Sequence, residues 1–488
     1  MVPIMSNDRY ERISVLTSTA VGLVSTLIIV NTYRALNINV RLVWIDTPQE
    51  SVSSFDSGFS TLLECAGLDE RKVLSEANAS YTLGRKLKSP DFETFFPYGG
   101  YGLDASKDIN TEDYLHYLSK SKSKLSDLSL SSVASGQGKF AVAPKNNIGL
   151  TRALSYGANL DTTRLISILM SVIKSRDVEI VKIDSIANIE RNNKDEVTVL
   201  HCDKHRKIDA NGDFWCDFTG HLRGSKLELK TLDLSVNRRV KLERSLSLNP
   251  DLSGGSEGNS SYTPVDECCF SGNAWCRMSS SQTHQQIDVY LNDHEIDCRE
   301  FVENNLNIDY SDYCCVEDVE WKAEYSKTIF EANVVLMGNA AVAGDGVAIT
   351  ESSVLQFCLI EFVDAFSLGV DRIYERSYIN SKWSIYISEA ISFMSLMQSR
   401  LRSVELTDKE MSWRNEFDRL GSLPRLETDA VSRSDLLSLF IDNNNCNSMR
   451  HITNIDDSLV RNFDALCAKI KNLSASMPSH DQYIKRMF

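Results

Sequence analysis

The sequence predicts an α/β fold organised around a strand–turn–helix–strand unit near its N-terminus and completed by a mainly helical C-terminal part. Residues 13–16 are apolar and β-branched enough for a buried first strand, and residues 17–22 form a turn of small residues. Apolar residues recur at helical spacing over 23–36, and residues 39–45 have the apolar pattern of a second buried strand. Long helical patterns dominate from 371 onward.

This N-terminal unit has the plan of a dinucleotide-binding βαβ unit, in which the helix N-terminus faces a pyrophosphate and an acid binds a ribose hydroxyl. Asp46 ends the second strand and follows Gly22 at close to the usual interval of about 20 residues. Thr17 and Thr19 stand where the first two glycines of G-x-G-x-x-G belong, and a Cβ there obstructs phosphate. Thr17, Thr19, Gly22 and Asp46 are the candidate cofactor-binding residues. The alternative is that Gly22 serves helix packing and Asp46 is a solvated acid.

A signal peptide or membrane anchor is the other explanation of the apolar stretch 13–30, because Arg9 and Arg12 precede it. The stretch contains six serine and threonine residues, whereas a spanning helix needs about 20 mostly apolar residues. The chain also passes directly into the strand at 39–45, with no cleavage site before a polar mature start. We therefore expect a buried βαβ unit and no membrane insertion.

Length, charge and cysteine content narrow the class of protein. The 488 residues leave room for two or three domains or one large α/β body with a helical lobe. A net charge of −15 opposes binding to nucleic acid or anionic membranes. The 12 cysteines include two vicinal pairs but no C-x-x-C, and the histidines show no metal-binding spacing. We expect no metal site and a reduced, cytoplasmic location.

The rest of the chain alternates strand and helix patterns before the helical C-terminal part. Residues 79–87 resemble a strand or a helix-to-strand junction, and residues 354–366 form a clear amphipathic helix. A strand at 332–337 runs into Gly338 and Asn339. We expect an α/β body over 1–370, with nucleotide-binding segments at 13–46, 153–224 and 332–366 and a second sheet layer at about 265–330, followed by a helical part over 371–488.

Several segments together resemble the flavin-dependent tryptophan halogenases, relatives of the single-component flavoprotein monooxygenases. The likeness covers roughly residues 13–420, and each motif alone is weak, whereas their order and spacing are fairly specific. The matching segments are the turn at 17–23, the acid at 46, Asn-Ala-Ser-Tyr-Thr-Leu-Gly-Arg-Lys-Leu at 78–87, Asp-Phe-Trp-Cys-Asp-Phe-Thr-Gly at 213–220, and 338–366. The resemblance implies an FAD/NAD(P)-binding Rossmann-like flavoprotein fold, with Gly338 and Asn339 contacting flavin. The alternative role of Gly338 and Asn339 is strand–turn–helix packing.

The resemblance also indicates where catalytic residues would lie. The family delivers halogen to its substrate through a lysine, and the alignment places Thr82 at that position. Lys86 is a cation on the same face of a strand, about 13 Å away. The family's glutamate aligns with Ala348, whereas Glu351 lies three residues later, about one helical turn out of place. Lys86 and Glu351 are therefore the catalytic candidates.

Three functions follow from the resemblance. The first is a divergent FAD-dependent halogenase or monooxygenase of a small aromatic substrate, served by a flavin reductase and compatible with the homodimer that the family often forms. The second is a non-catalytic binding or partner subunit that keeps the fold. The third is a flavin carrier without halide chemistry. Losing two turn glycines, the lysine and the aligned glutamate together favours the second, with FAD bound weakly or lost.

Overall fold

The computed structural model describes residues 10–103, 110–224, 227–232, 234–246, 263–292, 296–366, 372–401, 405–441 and 457–487. The helices are α1 Ala20–Arg34, α2 Phe59–Cys65, α3 Glu70–Glu76, α4 Thr111–Lys120, α5 Leu130–Gly136, α6 Ile148–Ala153, α7 Thr162–Ser175, α8 Cys298–Leu306, α9 Glu351–Phe366, α10 Arg372–Leu401, α11 Asp408–Leu420, α12 Arg433–Phe440, α13 Asp457–Ser476 and α14 His480–Met487.

The strands are β1 Arg12–Thr17, β2 Asn39–Ile45, β3 Val52–Phe55, β4 Ser80–Thr82, β5 Gly84–Ser89, β6 Phe92–Pro97, β7 Gly157–Asp161, β8 Glu179–Ile183, β9 Ile186–Arg191, β10 Val197–Cys202, β11 Lys207–Asp209, β12 Asp213–Asp217, β13 Leu229–Leu232, β14 Arg238–Ser245, β15 Asp266–Ser271, β16 Ala274–Ser280, β17 His284–Leu291, β18 Cys314–Glu320, β19 Ala323–Ser326, β20 Phe330–Glu331, β21 Val334–Leu336 and β22 Val342–Ala343.

The first layer is a six-stranded sheet in the order β20-β21-β12-β1-β2-β8. Its strands are parallel except for β20, which pairs antiparallel with β21. Helix α1 connects β1 to β2 and is buried on nearly all of its surface, since it packs against α7 and α9 as well as the sheet. That burial explains an apolar run without a polar face. The predicted strand–turn–helix–strand unit and α/β fold class are confirmed.

The second layer is a seven-stranded sheet in the order β18-β14-β17-β16-β15-β5-β6. It is wider than the expected span of about 265–330, because β5 and β6 join from far upstream through a parallel pairing of β5 with β15, and β14 also precedes the span. A small sheet, β3-β7-β4, lies beside this layer, and β3 contacts both β16 and β17. The small sheet is therefore in contact with the second layer through β3.

The elements described from Arg372 onward are helices, α10 to α14, in agreement with the helical pattern of the sequence. The last of them, α14, returns to the α/β body, because His480 Nε2 accepts a hydrogen bond from the Tyr81 N–H at 3.2 Å. Among the described residues, no helix combines the length and the apolar character needed to cross a bilayer.

Candidate functional site

The turn between β1 and α1 is held by its own threonine side chains. Thr17 is fully buried, and its Oγ1 accepts the Thr19 N–H at 3.0 Å. Thr19 is the N-cap of α1, and its Oγ1 accepts the Gly22 N–H at 3.3 Å. A Cβ on Gly22 would lie 2.0 Å from Thr17 Oγ1, so the space beside this glycine is filled. Two amides that a dinucleotide-binding turn directs at phosphate are thus paired inside the turn.

Two aspartates lie near this turn, each at the carboxyl end of a parallel strand. Asp46 follows β2 with an exposed side chain, and its N–H donates to Ile183 O at 2.9 Å. Asp217 ends β12, is fully buried, and accepts the Gly220 N–H at 3.0 Å and the Leu222 N–H at 2.8 Å. The structure therefore brings Asp46 to the same edge as the β1–α1 turn. Asp217 holds the neighbouring turn closed.

A second turn at this edge unites three of the candidate residues. Gly338 follows β21 with φ of +54°, a left-handed conformation that favours glycine, and Asn339 is exposed beside it. Glu351 begins α9, and its Oε1 would lie 3.2 Å from a Cβ built on Gly338. Gly338, Asn339 and Glu351 are therefore neighbours in space.

The Glu351 side chain is half-buried, but its Oε1 is enclosed and has no hydrogen-bond partner among the described residues. Burial, and after it the charge of Glu50, raise the pKa of this carboxyl to about 8. The Asn339 N–H and the Lys241 ammonium act in the opposite direction. At neutral pH the protonated carboxyl predominates, so it can donate as well as accept a hydrogen bond.

Glu351 lines a cavity of about 620 Å³, which we call the Glu351 cavity. The second sheet contributes Lys241 and Tyr290 to its wall, and the loop before β3 contributes Glu50. Asn339 lines it from the turn after β21. The cavity therefore lies against the second sheet and reaches the turn after β21, at the carboxyl end of a parallel strand, where this class of fold binds ligands.

Lys86 lies elsewhere. It is on β5, pairs with Glu93 of β6 at 2.8 Å, and lines a separate cavity of about 660 Å³ that also includes Lys124 and Lys471. This Lys86 cavity and the Glu351 cavity share no lining residue. The two catalytic candidates of the sequence are thus not brought together.

The positions aligned with the family's lysine and glutamate have local structural bonds. Thr82 on β4 is buried, and its Oγ1 donates to Gly84 O at 2.9 Å. The Ala348 N–H donates at 2.8 Å to the carboxylate of Asp345, which also accepts the N–H groups of two neighbouring residues. Neither aligned side chain carries an ionisable group.

A buried charge cluster beside the Glu351 cavity escaped the sequence analysis. Asp56 accepts hydrogen bonds from Tyr98 Oη at 2.7 Å and from the hydroxyl of Thr350, just before α9. Burial opposes the charge, but Arg85 and Arg277 lower the pKa of Asp56 below its usual value. The sequence offered one signal, Arg85 beside Lys86, but its partner Asp56 lies in the loop after β3, and no local pattern in the sequence joins the two.

The described residues contain no group of three or more His, Cys, Asp or Glu side chains placed to hold a metal ion. Each described cysteine, buried or exposed, is free of disulfide bonds.

The fold and this site define an α/β protein of the flavoprotein type, with a mostly parallel six-stranded sheet and a larger, mostly antiparallel sheet. The family model for tryptophan halogenase matches residues 53–400, so the chain belongs to the tryptophan halogenase family. The family resemblance inferred from the sequence is confirmed. No curated protein matches the sequence.

Solved structures support the same fold over the whole chain. BrvH, a flavin-dependent halogenase from Brevundimonas sp. BAL3, superposes with a TM-score of 0.83 at 13% identity, covering 98% of this chain and 99% of that one. Xcc4156, a flavin-dependent halogenase from Xanthomonas campestris, gives 0.81 at 13%, covering 98% of each chain. A tryptophan halogenase from Shewanella frigidimarina gives 0.81 at 12%, also over 98% of each. At these identities the similarity establishes the fold alone.

Proposed function

We propose that this chain is a divergent, non-catalytic member of the tryptophan halogenase family, which keeps the fold and the Glu351 cavity as a binding site but does not halogenate. The observation that carries the proposal is Thr82. Thr82 aligns with the family's lysine, is buried, and donates its hydroxyl hydrogen to Gly84 O. A threonine offers neither an amine nor an ammonium to a halogen electrophile, so the delivery step has no carrier.

The fit of FAD, the cofactor that family membership implies, supports the same proposal. The β1–α1 turn uses the amides of Thr19 and Gly22 internally, and the Thr17 side chain fills the space beside Gly22. Diphosphate binding would require breaking these contacts. The residues present therefore do not fit the diphosphate half of FAD, and we infer weak FAD binding rather than the tight binding of an intact glycine-rich turn.

Lys241 is the residue that favours the alternative, an active halogenase or monooxygenase. It lines the Glu351 cavity together with Glu351, so an ammonium and a carboxyl share one site. Burial opposes its charge, but Asp288 and Glu50 raise the pKa of Lys241 above its ordinary value. An amine held as an ammonium by Glu50 and Glu317, each at 3.4 Å, is a poor nucleophile. The contacts therefore favour the non-catalytic proposal.

The test is a halogenation assay with reduced FAD, a flavin reductase, halide, oxygen and free tryptophan, read by mass spectrometry. We expect no halogenated product from the wild-type chain, because losing a positioned acid–base group costs roughly 10²–10⁴-fold each. The variants Lys86→Ala, Glu351→Ala and Lys241→Ala are assayed beside it. Lys88→Ala is the matched control, since Lys88 lies on the same strand as Lys86 and pairs with Glu267 outside both cavities.

Product from the wild-type chain that disappears in one of these variants, but not in Lys88→Ala, would overturn the proposal and identify the residue that replaced the lost lysine or glutamate. An active chain would also require a flavin reductase and an aromatic substrate as partners. Cytoplasmic location and a homodimer stay parts of the proposal, to be tested by fractionation and by light scattering.

A further inference from the structure

The Lys86 cavity is surrounded by lysines from three separate segments of the sequence. Lys86 reaches it from β5, Lys124 lies directly before the 3-10 turn Leu125–Leu128, and Lys471 lies on α13. The other walls include residues of β6 and α5. The function proposed above uses none of these lysines, so their convergence on one cavity of about 660 Å³ points to a second site.

The segments that carry these lysines are held by the core, while the lysines themselves are accessible. Helix α13 packs against α4 and α5, and its Phe463 stacks on Tyr117 with ring centroids 4.8 Å apart. Leu125, next to Lys124, is buried in the same core. Lys124 and Lys471 are both exposed. A ligand in the cavity can therefore contact both ammonium groups without displacing any part of the protein.

The charges around the Lys86 cavity do not cancel. Lys86 forms an ion pair with Glu93 at 2.8 Å, and Asp127 accepts the backbone N–H of Lys124 at 2.9 Å. Among the described residues, neither Lys124 nor Lys471 has a carboxylate within ion-pair distance. Three ammoniums against two carboxylates leave one net positive charge, in a chain whose overall charge is −15. This local excess of positive charge attracts a monoanion.

Apolar side chains form much of the remaining wall. Phe95 of β6 and Tyr101 each contribute an aromatic ring, and the Tyr101 hydroxyl is already hydrogen-bonded to Ser438 Oγ at 2.8 Å. Aliphatic side chains complete this part of the wall: Leu125, Val133 and Ile441. A volume of about 660 Å³ lies within the ordinary range of small-molecule sites. Two rings among aliphatic neighbours favour a ligand with a flat apolar body.

We propose that the Lys86 cavity binds a small aromatic carboxylate, a monoanion with a flat apolar body. The carboxylate interacts with the ammoniums of Lys124 and Lys471, and the ring packs against Phe95 and Tyr101. An aromatic amino acid is disfavoured, because its own ammonium would lie beside these two lysines. The Lys86 cavity and the Glu351 cavity share no lining residue, so the inference does not depend on the proposed function.

The test compares four probes by equilibrium dialysis at low ionic strength. They are 3-(2-naphthyl)propionate, its neutral primary amide, the zwitterion 3-(2-naphthyl)-L-alanine, and propionate, which lacks the ring. We expect the naphthyl acid to bind with a dissociation constant below about 1 mM, the amide and the amino acid at least about fivefold more weakly, and propionate not at all. Salt at about 0.5 M should remove most of the difference between acid and amide, because it screens exposed charges.

Charge-removing variants locate the site. Lys124→Gln and Lys471→Gln are each expected to weaken binding of the naphthyl acid about two- to fivefold, and together about tenfold, while leaving the amide unchanged. Lys122→Gln and Lys469→Gln are the matched controls, since these exposed lysines lie two residues from Lys124 and Lys471 but do not line the cavity. Far-ultraviolet circular dichroism checks that the four variants fold alike.

Three outcomes would each overturn the inference: no binding of the naphthyl acid up to about 10 mM, equal affinity for acid and amide, or equal losses in the cavity and control variants. Weaker binding in Lys241→Gln, with no change in Lys124→Gln or Lys471→Gln, would place the ligand in the Glu351 cavity and also overturn it. Halogenated tryptophan from the wild-type chain would remove the non-catalytic proposal and leave this second site standing.

Discussion

Glu351 gives a prediction for the dependence of stability on pH. Its carboxyl has a pKa of about 8 in the folded protein against an ordinary value of 4.5, because burial and Glu50 outweigh Lys241 and the Asn339 N–H. The folded state therefore holds the proton more tightly than the unfolded state. Its contribution is fully present below pH 4.5 and is lost as the pH rises toward 8.

The measurement is urea unfolding of the wild-type chain and of Glu351→Gln at pH 5 and pH 8.5. Glutamine keeps the size and the hydrogen-bonding groups but does not titrate, so the free-energy difference between the two proteins should change with pH. The change is at most about 1.4 kcal/mol per pH unit, and smaller here because the side chain is half-buried. Parallel pH profiles for the two proteins would show that Glu351 titrates near its ordinary value.

At the residue scale, the sequence could predict that two site residues lie close together only where they are also close along the chain. Gly338, Asn339 and Glu351 lie within 14 consecutive residues of the sequence, and the structure brings them together. Lys86 was chosen for its charge and its face on a strand. Its pairing with Glu93 and its separate cavity depend on which strand lies beside β5, and no local pattern encodes that neighbour.

At the element scale, the prediction for cofactor binding rests on the β1–α1 turn. FAD is expected to bind the wild-type chain with a dissociation constant above ~10 µM, because the phosphate oxygens meet threonine side chains instead of free amides. Replacing both residues, Thr17→Gly with Thr19→Gly, frees the amides of Thr19 and Gly22 and opens the space beside Gly22. FAD affinity should rise at least tenfold, measured by isothermal titration.

Lumiflavin, the flavin ring system without the ribityl chain and phosphates, is the control ligand for this double variant, because removing the threonines should leave its affinity unchanged. Thr19→Gly also removes the N-cap of α1, which costs a few tenths of a kcal/mol for glycine at that position. Tight FAD that copurifies with the wild-type chain would show that the threonine turn tolerates diphosphate.

At the element scale, buried parallel strands and their helix were readable because they are continuous apolar runs of ordinary length. The number of strands in the second sheet could not be predicted from the sequence. Its strands β5 and β15 pair in parallel although they lie about 180 residues apart in the chain, so local propensity does not predict that they are neighbours. Sequence periodicity therefore predicted the individual strands and helices more readily than it predicted which strands pair with each other.

At the scale of the whole molecule, the last helix, α14, packs back against strand β4, which carries Thr82. His480 is fully buried, accepts the Tyr81 N–H, and donates its own backbone N–H to Gly138 O at 2.9 Å. Tyr483 packs edge-on against Phe140 with ring centroids 5.0 Å apart. Helical periodicity predicted the C-terminal helices but not this docking, because the contact depends on two segments about 400 residues apart.

The docking of α14 yields the last prediction. His480→Ala leaves the buried Tyr81 N–H without its acceptor, and an unpaired buried donor costs about 1–3 kcal/mol. The substitution should lower the free energy of unfolding by that amount, measured by urea denaturation. Lys485→Ala on the exposed side of the same helix is the control and should change it by less than about 0.5 kcal/mol. Equal stability of the two variants would mean that the C-terminal helix does not help hold β4 in place.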